Sequence, residues 1–455
     1  MQLLKTLWQK QWPFWLGGLF VGLAEIIFYY HYDMFIVVTT GLAQMFAVAE
    51  VNLFGVDWVA RVYEPGIYWF IVFAIVGARM AGIAEKDHRD WVHYDGGMLA
   101  LAFIGGFLFS FGTRIAGGCT THHFLGGIPS MSIASWVVLL SGIPFAFLAF
   151  KLVTGLGKGG YLRHQETWCV SCEQDGAEHN HNPGYKPGYK PWKNPLHLGL
   201  TCLLLGFLLV PLYYGLTSDI AGSISQIGWG ELAWLAAPGL LLGFGIAKTG
   251  FGTECSAMAP ESAFTSHDFY RKNGVPDCTY RMFRGMLPLQ GLMVSIVTLN
   301  LFIVYSWIWG EGTIPNASGD EGLYWGHILG GPLLAMGAVL MIGCEVRTYA
   351  RLGLGYSTAL AALPGFYLGY LPYTLYQETI DEVVFGEGLT EYITFAEWAS
   401  DTFGASEQTW AFVYSGLMIA ILLWTFAAAR RFLRLRAREL LVRNTDQLVY
   451  APGGS

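Results

Sequence analysis

The sequence predicts an all-α polytopic membrane protein with about ten transmembrane helices, built as two inverted repeats that contain re-entrant or broken helices. Three observations support this: a strongly apolar composition, charges that alternate between loops, and a glycine-cysteine segment that occurs twice. Of the 455 residues, 54% are hydrophobic and only 13% are charged, whereas soluble domains carry about 25% charged residues. A lipid bilayer is therefore the expected solvent, and the net charge of −7 gives no support for nucleic-acid binding.

Apolar stretches long enough to cross the hydrocarbon core as helices, which takes about 20 residues, follow one another along the chain. The aromatic fraction of 16% and the 58 glycines are typical of interfacial belts and closely packed transmembrane helices. A further apolar segment, 35-54, contains Gln44, Glu50 and Asn52 and is less suited to crossing. The ten predicted spans are 14-30, 65-84, 97-118, 132-153, 196-216, 233-252, 286-308, 323-343, 355-376 and 410-433.

Basic and acidic residues alternate from one predicted loop to the next. The C-terminal tail has six arginines, which places it in the cytoplasm by the positive-inside rule, whereas the 377-409 loop has eight acids and no Lys or Arg. The same alternation makes 345-354, with Arg347 and Arg351, a cytoplasmic turn. Both termini are then cytoplasmic only if 35-54 enters the membrane and returns on the same face, so we predict that it is re-entrant or broken.

The chain contains an internal duplication. Sixteen residues ending at Cys119 align without gaps on sixteen residues ending at Cys344, and six positions are identical, including Gly118 and Gly343. One copy ends a helix predicted to run outward and the other ends a helix predicted to run inward, so the repeats are inverted. Inverted repeats in transporters place the substrate near the midplane, where interrupted helices meet.

The duplication and the alternating charges together predict six regions. They are a first inverted repeat at 14-153, a cytoplasmic loop at 154-195, a linking transmembrane helix at 196-216, a second inverted repeat at 217-376, an acidic periplasmic loop at 377-409, and an extra transmembrane helix with a basic cytoplasmic tail at 410-455.

Three segments place glycines before a cysteine at the end of an apolar helix, and the cysteines are Cys119, Cys255 and Cys344. Glycines permit a helix break, and a half-helix that follows would direct its N–H groups at an anion. A thiol can donate weakly to a sulfur-bearing substrate or exchange with it. The alternative is that the glycines mediate packing and the thiols are inert, but recurrence at related positions favours a substrate pathway.

Several charged or titratable side chains lie near these cysteines. Lys248 either attracts an anion or extends to the interface. Arg114 and Arg347 flank the repeat cysteines and could attract an anion, although Arg347 also fits a role in setting topology. His122 and His123 could hold an entering oxyanion, and a capping or packing role fits them equally well.

These motifs resemble the YeeE/YedE family of inner-membrane proteins, which includes thiosulfate transporters. The resemblance is carried by Ala-Gly-Gly-Cys119-Thr-Thr-His-His, by the glycine-rich segment ending at Cys255, and by Gly-Cys344-Glu-Val-Arg. It implies a bacterial inner-membrane location and a constriction where these three cysteines pass thiosulfate or a related sulfur anion along by weak S–H contacts. It also implies a cytosolic sulfur-carrier partner of the TusA type.

The chain departs from the family pattern at two places. Met34 or its neighbours His31 and Asp33 stand where the family has a cysteine after the first helix, and the thioether of Met34 cannot donate a hydrogen bond. The 154-195 loop contains a Cys-x-x-Cys pair followed by His-x-His, which fits a tetrahedral zinc site, a dithiol, or a polar linker with incidental residues. The four residues are Cys169, Cys172, His179 and His181.

The sequence therefore predicts a transporter, not an enzyme, that takes up a small sulfur-containing anion and needs no cofactor, with zinc in this loop as one of the alternatives. Two alternatives remain open at this point. One is a membrane-bound thiol-disulfide or sulfurtransfer enzyme, in which Cys169 and Cys172 exchange with the membrane cysteines. The other is a membrane anchor for a sulfur-metabolising complex that docks on 154-195.

Overall fold

The structure, a computed structural model, confirms the predicted all-α class. It describes residues 12–85, 94–158, 193–249, 277–309 and 322–449. Within these ranges the chain forms fourteen α-helices, one π-helix and a two-stranded antiparallel sheet. Eight segments are apolar and long enough to cross a membrane, so the protein is a multi-pass membrane protein.

The elements are numbered in chain order. The helices are α1 (Phe14–Tyr32), α2 (Val38–Phe54), α3 (Trp69–Glu85), α4 (Gly96–Ile115), a π-helix (Thr121–Gly127), α5 (Ile133–Gly155), α6 (Pro195–Thr217), α7 (Ile224–Thr249), α8 (Asp277–Trp309), α9 (Trp325–Leu340), α10 (Glu345–Leu354), α11 (Ser357–Leu375), α12 (Gln377–Phe385), α13 (Phe395–Phe403) and α14 (Glu407–Val449). The strands β1 (Leu323–Tyr324) and β2 (Gly388–Thr390) pair with each other.

Each of the ten predicted spans contains a helix. The eight crossing segments are α1, α4, α5, α6, α7, Leu289–Ile308 within α8, Trp325–Leu354, which joins α9 and α10, and Glu407–Ala428 within α14. The helices α2 and α3 are apolar but have only 17 residues each. At about 1.5 Å per residue they reach about 25 Å, less than a full hydrocarbon core.

Side-chain caps mark where several of these helices begin. Asp95 accepts a hydrogen bond from the N–H of Met98 at the start of α4, at 2.9 Å. Ser132 caps α5 by accepting from the N–H of Ser135. Asn194 caps α6, whose first residue is Pro195. Because the first N–H groups of a helix have no partner within the helix, these oxygens allow each helix to start at a defined residue.

Residues 33 to 68, which include α2, leave and rejoin the same end of the helix bundle. At the end of α1, His31 bonds Glu231 near the start of α7. Just before α3, the N–H of Ile67 donates to the carbonyl of Ala221, which also precedes α7. The intervening segment therefore returns to the face it came from, as the re-entrant prediction requires.

The helix contacts of the two halves correspond to each other. The helices α4 and α9 run antiparallel, because glycines further along α4 face earlier residues of α9. Most of the corresponding contacts keep the 225-residue offset seen in the sequence, as expected for helices related by a two-fold axis. The pairs are Gly105 with Met341 and Gly330 with Ala116, Gly112 with Leu334 and Gly337 with Phe109, and, within one residue, Gly106 with Ala362 and Gly331 with Val138.

A second set of contacts supports the weaker similarity between α1 and α7. Gly18 of α1 lies against Gly291 of α8, and Gly239 of α7 lies against Phe70 of α3. One turn further on, Gly22 meets Ser295 and Gly243 meets Ala74. All four positions shift by 221 residues between the halves. The bounds assigned to the six predicted regions stay a prediction.

The prediction that 345-354 is a turn was wrong. The segment is the helix α10, which packs against α3 and α7. Its Arg347 and Arg351 are buried, with 5% and 7% of their surface exposed. The guanidinium of Arg351 lies 5.1 Å from the ring centre of Tyr356, which supplies a favourable cation–π contact inside the protein. These arginines therefore do not mark an exposed loop.

Two regions outside the repeats are more structured than predicted. The acidic 377-409 loop contains α12, β2 and α13, and Thr394 caps α13 while pairing with Ser132. The helix predicted at 410-433 extends to Val449 as α14, which packs against α8 and α13.

Candidate functional site

Each repeat cysteine follows a helix that ends at a left-handed backbone position. The helix α4 ends at Ile115 and α9 ends at Leu340. Two residues later Gly117 has a φ of +69° and Ile342 has a φ of +59°. Left-handed residues stop α-helices, so the predicted interruption occurs at equivalent positions in both halves.

Cys119 and Cys344 both begin the helical segment after the break. The backbone carbonyl of Cys119 accepts from the N–H of His123, and that of Cys344 accepts from the N–H of Thr348, each at 2.9 Å. The cysteines are 1% and 2% exposed and are not in disulfides. Both thiols therefore lie inside the protein at the N-terminal ends of short helices.

The glycines before these cysteines are required by close packing. A Cβ at Gly118 would collide with the imidazole of His122. A Cβ at Gly343, whose φ is +153°, would lie 3.0 Å from Cδ of Arg347. Any larger residue would displace these basic side chains from the cysteine motifs.

The two motifs converge on one interior region. Glu345, the residue after Cys344, is close enough to interact electrostatically with Cys119. Glu345 also interacts with Arg114 of α4 and with Tyr370 of α11. The start of α10 and the cysteine of the first half therefore face the same set of side chains, which we call the central cluster: Tyr63, Arg114, Cys119, Glu345, Tyr349 and Tyr370.

Arg114 supplies the positive charge of the central cluster. Its Nη1 donates to the hydroxyl of Tyr63 at 2.7 Å, and its guanidinium lies 5.5 Å from the ring centres of both Tyr63 and Tyr370. The hydroxyl of Tyr370 donates to the carbonyl of Thr39, which fixes that ring in place. Arg114 as a residue is half-buried, and its guanidinium, held between two aromatic rings, keeps its charge and is available to an anion.

Glu345 is the carboxylate of the central cluster, and it was not among the predicted site residues. It is 1% exposed. Its Oε1 accepts from the hydroxyl of Tyr349 at 2.6 Å, whereas its Oε2 is buried without a hydrogen-bond partner in the described part of the chain. An acid next to a motif cysteine in an apolar segment was the available signal for it. Tyr63 and Tyr370 carried no such signal, because distant segments bring them to Arg114.

The histidines form a group beside the first motif. His123 is fully buried and bonds the hydroxyl of Ser135 and the carbonyl of Ala116, each at 3.0 Å. This geometry fits the packing alternative for His123. The rings of His122 and His327 approach His123 edge-on, with centroids 5.1 and 5.9 Å from it. No sequence motif pointed to His327, which follows β1.

Two buried hydroxyls accompany the first cysteine. Thr120 and Thr121 are 0% and 1% exposed; the side-chain oxygen of Thr120 has no hydrogen-bond partner among the described residues, and the hydroxyl of Thr121 lies beside the thiol of Cys119. Burying a hydroxyl without a partner costs free energy. These oxygens are thus potential donors to an anion beside Cys119.

Lys248 does not extend to a surface. It is fully buried near the end of α7, and its Nζ lies 5.5 Å from the ring centre of Trp12. A buried ammonium stacked on an indole differs from the interfacial alternative, in which the charge reaches water.

The position that departs from the family pattern lies at the periphery. Met34 is 46% exposed. The neighbouring His31 bonds a carboxylate oxygen of Glu231 at 2.9 Å and stacks on Trp234 with centroids 4.4 Å apart. These contacts join the ends of α1 and α7, and they are distinct from the central cluster.

Several predicted residues lie outside the described residues. They are Cys255 of the pathway and the four loop residues Cys169, Cys172, His179 and His181. Across the described ranges no group of three or more His, Cys, Asp or Glu side chains is arranged to hold a metal ion. The predicted zinc site in the loop stays a prediction.

The described geometry suits a small anion better than a metal. Arg114 provides positive charge, the hydroxyls of Thr120 and Thr121 provide donors, and the thiol of Cys119 provides a soft polarizable contact. All of them lie within an otherwise apolar bundle, where a charged group is costly and is therefore usually functional.

A comparison with protein families is consistent with this geometry. A family model described as sulphur transport matches residues 1–144 and 269–449, which is more than half of the chain. Both repeat cysteines and the whole central cluster lie within the matched ranges, whereas Cys255 and the Cys-x-x-Cys loop lie between them. No curated protein matches the sequence.

Proposed function

Since this chain belongs to the YeeE/YedE sulphur transport family, we propose that it takes up a small sulfur-containing anion, with thiosulfate as the favoured substrate. The family indicates membrane transport of sulfur compounds, and we propose a transporter and not an enzyme. The choice of thiosulfate and the route through the cysteines are our proposals.

One observation carries this proposal: equivalent breaks in the two halves bring a thiol and a guanidinium to one buried place. Cys119 and Arg114 lie on either side of the break that follows α4, and Glu345 brings the second cysteine motif to the same place. A packing role for the glycines explains the close helices but not the buried charge. An anion pathway explains both.

Thiosulfate matches the two kinds of groups in this region. Its oxygens carry negative charge suited to Arg114 and to the hydroxyls of Thr120 and Thr121. Its terminal sulfur is soft and polarizable, as are the thiols of Cys119 and Cys344. We propose that both thiols contact this sulfur in turn through weak S–H hydrogen bonds, with no covalent bond formed.

The remaining predicted residues take supporting roles in the proposal. Cys255 is a third contact on the pathway, and Lys248 contributes positive potential at the end of α7. His122 binds the anion before the anion reaches Cys119. We further propose a bacterial inner-membrane location with both termini in the cytoplasm, and delivery of the sulfur to a TusA-like carrier.

The test is uptake of sulfur-35 thiosulfate into proteoliposomes that contain the purified chain. Cys119→Ala and Cys344→Ala are each expected to reduce uptake about tenfold or more, because each removes a contact worth about 1.5 kcal/mol to a charged ligand. Cys202→Ala is the matched control, since Cys202 is a free, exposed cysteine on α6 and its loss should leave uptake unchanged.

The result separates the competing functions. Normal uptake by both Cys119→Ala and Cys344→Ala would contradict the cysteine route. If no thiosulfate enters with the unsubstituted chain, sulfite and selenite should be tried as labelled substrates before transport is abandoned. Uptake that depends on Cys169 and Cys172, but not on Cys119, would favour the sulfurtransfer alternative.

A further inference from the structure

Glu345 is the one acidic side chain of the central cluster, and anion binding by itself does not account for it. It is 1% exposed, and its Oε2 has no hydrogen-bond partner among the described residues. An ionised carboxylate beside an anion site opposes binding. The same carboxyl in its neutral form removes the repulsion and can donate a hydrogen bond from the unpartnered oxygen.

The groups that face Glu345 come from several elements. Tyr349 on its own helix donates to Oε1 at 2.6 Å, and Arg114 of α4 provides a nearby positive charge. Cys119 and Tyr370 are also within electrostatic range. Arg114 supplies the positive charge among these neighbours, and one guanidinium balances one negative charge at a time.

Charged groups on the other helices that pack against α10 have contacts of their own. Arg79 of α3 donates to the carbonyl of Gly353, at the opposite end of α10. Glu50 of α2 accepts from the N–H groups of Val59 and Ala60 and from the hydroxyl of Tyr367. Lys248 of α7 lies over Trp12. None of these contacts neutralises Glu345.

From this geometry we infer that Glu345 is a proton-binding site, and that the protein takes up one proton together with each sulfur anion. With the site empty, the ionised Glu345 balances Arg114. When a dianion binds near Arg114 and Cys119, the added negative charge favours proton transfer from the aqueous solution to Glu345, which becomes a neutral carboxylic acid. The inference rests on the proposed anion transport and adds its coupling to the proton gradient.

The two halves of the repeat differ at this position. Glu345 is the first residue of α10, and the equivalent residue in the first half is Thr120, 225 positions earlier. Both have a buried side-chain oxygen without a partner in the described ranges. The pseudo-symmetric site is therefore asymmetric in charge, with a hydroxyl for the anion on one side and a carboxyl for the proton on the other.

The experiment counts protons directly. Calorimetric titration of the full chain in detergent with thiosulfate, in two buffers of different ionisation enthalpy, gives the number of protons taken up per anion bound. We expect about one proton for the unsubstituted chain, and an apparent Kd that rises by up to tenfold per pH unit on the alkaline side. For Glu345→Gln we expect anion binding with no proton uptake and a Kd that changes less than twofold between pH 6 and 8. Glu387→Gln, the same change at an exposed carboxylate, should behave as the unsubstituted chain.

Transport provides the second measurement. In proteoliposomes with a pH-sensitive dye inside, thiosulfate entry through the unsubstituted chain should acidify the lumen. Entry through Glu345→Gln should not. If Glu345→Gln fails to fold, Glu345→Asp keeps the carboxyl but moves it, and it should shift the midpoint of the pH dependence; an unchanged midpoint would overturn the assignment.

The outcomes separate the two proposals. Thiosulfate uptake without any proton uptake would overturn the role of Glu345 and leave thiosulfate transport intact. Undiminished proton uptake by Glu345→Gln would also overturn the role of Glu345 and leave thiosulfate transport intact. Failure of the unsubstituted chain to bind or transport thiosulfate would contradict the proposed substrate and, with it, this inference.

Discussion

Arg114 combines a permanent charge with two aromatic contacts, so its charge and its shape can be tested separately. Arg114→Gln should reduce thiosulfate uptake about 10- to 100-fold, because it removes a charge-assisted contact worth about 1.5–3 kcal/mol. Arg114→Lys keeps the charge but loses the planar stacking on Tyr63 and Tyr370, and uptake should fall about threefold to tenfold.

The control for Arg114 is Arg61→Gln. Arg61 pairs with Asp57 at 3.1 Å, and its side chain is 52% exposed, so its loss should not change uptake. The initial rate of sulfur-35 thiosulfate entry is the measurement. Equal rates for Arg114→Gln and Arg61→Gln would show that the guanidinium in the central cluster does not act on the anion.

Gly117 and Gly118 are adjacent but required for different reasons. At Gly117 there is room for an added Cβ, which would lie 3.5 Å from Phe385. Gly117→Ala should still destabilise the fold by about 1–2 kcal/mol, because the φ of +69° is unfavourable for alanine. Gly118→Ala would collide with the ring of His122 and displace it. We expect Gly117→Ala to lower the melting temperature with little change in KM, and Gly118→Ala to raise KM for thiosulfate as well. Identical effects of both changes on KM would argue against an entry role for His122.

At the level of helices, the glycine contacts of the two halves should be energetically equivalent. Gly106 lies against the carbonyl of Ala362, and Gly331 lies against the carbonyl of Val138. Adding a methyl group at either position forces two helices apart, and each Ala variant should lose about 1–3 kcal/mol of stability.

Thermal unfolding in detergent measures this prediction, and Gly416→Ala is the control. A Cβ at Gly416 of α14 would meet open space, so that change should be neutral, or stabilising by up to about 1 kcal/mol through helix propensity. A large loss at Gly106 with none at Gly331 would show that the two halves do not share one packing scheme.

For the whole molecule, the charge alternation predicts which surface faces each side of the membrane. Glu391→Cys, in the exposed acidic region between α12 and α13, should react with a membrane-impermeant maleimide added to intact cells. Arg430→Cys, an exposed position on α14, should react only after the membrane is permeabilised. Labelling is measured relative to the unsubstituted chain, and the reverse pattern would invert the proposed topology.

The sequence alone determined the class of the protein, the positions of its long apolar helices, and the repeat. A chain with so few charged residues must place much of its surface in lipid. Apolar segments about 20 residues long can satisfy the hydrogen bonds of their backbone there only as helices or barrels. The Cys119 and Cys344 segments could be matched because close helix contacts restrict residue choice to glycine, and such restriction leaves a visible pattern at a fixed offset.

The tertiary structure alone decided which polar groups lie close together. Arg347 and Arg351 predicted a turn at 345-354, because charge is normally solvated, but helix packing around α10 buries them. Glu345 meets Arg114 through segments more than 200 residues apart, and Tyr63 reaches Arg114 from a third segment. Local patterns such as charge and glycine spacing record the environment of a single segment. The partners of a buried charge depend on how distant helices cross, which no local pattern encodes.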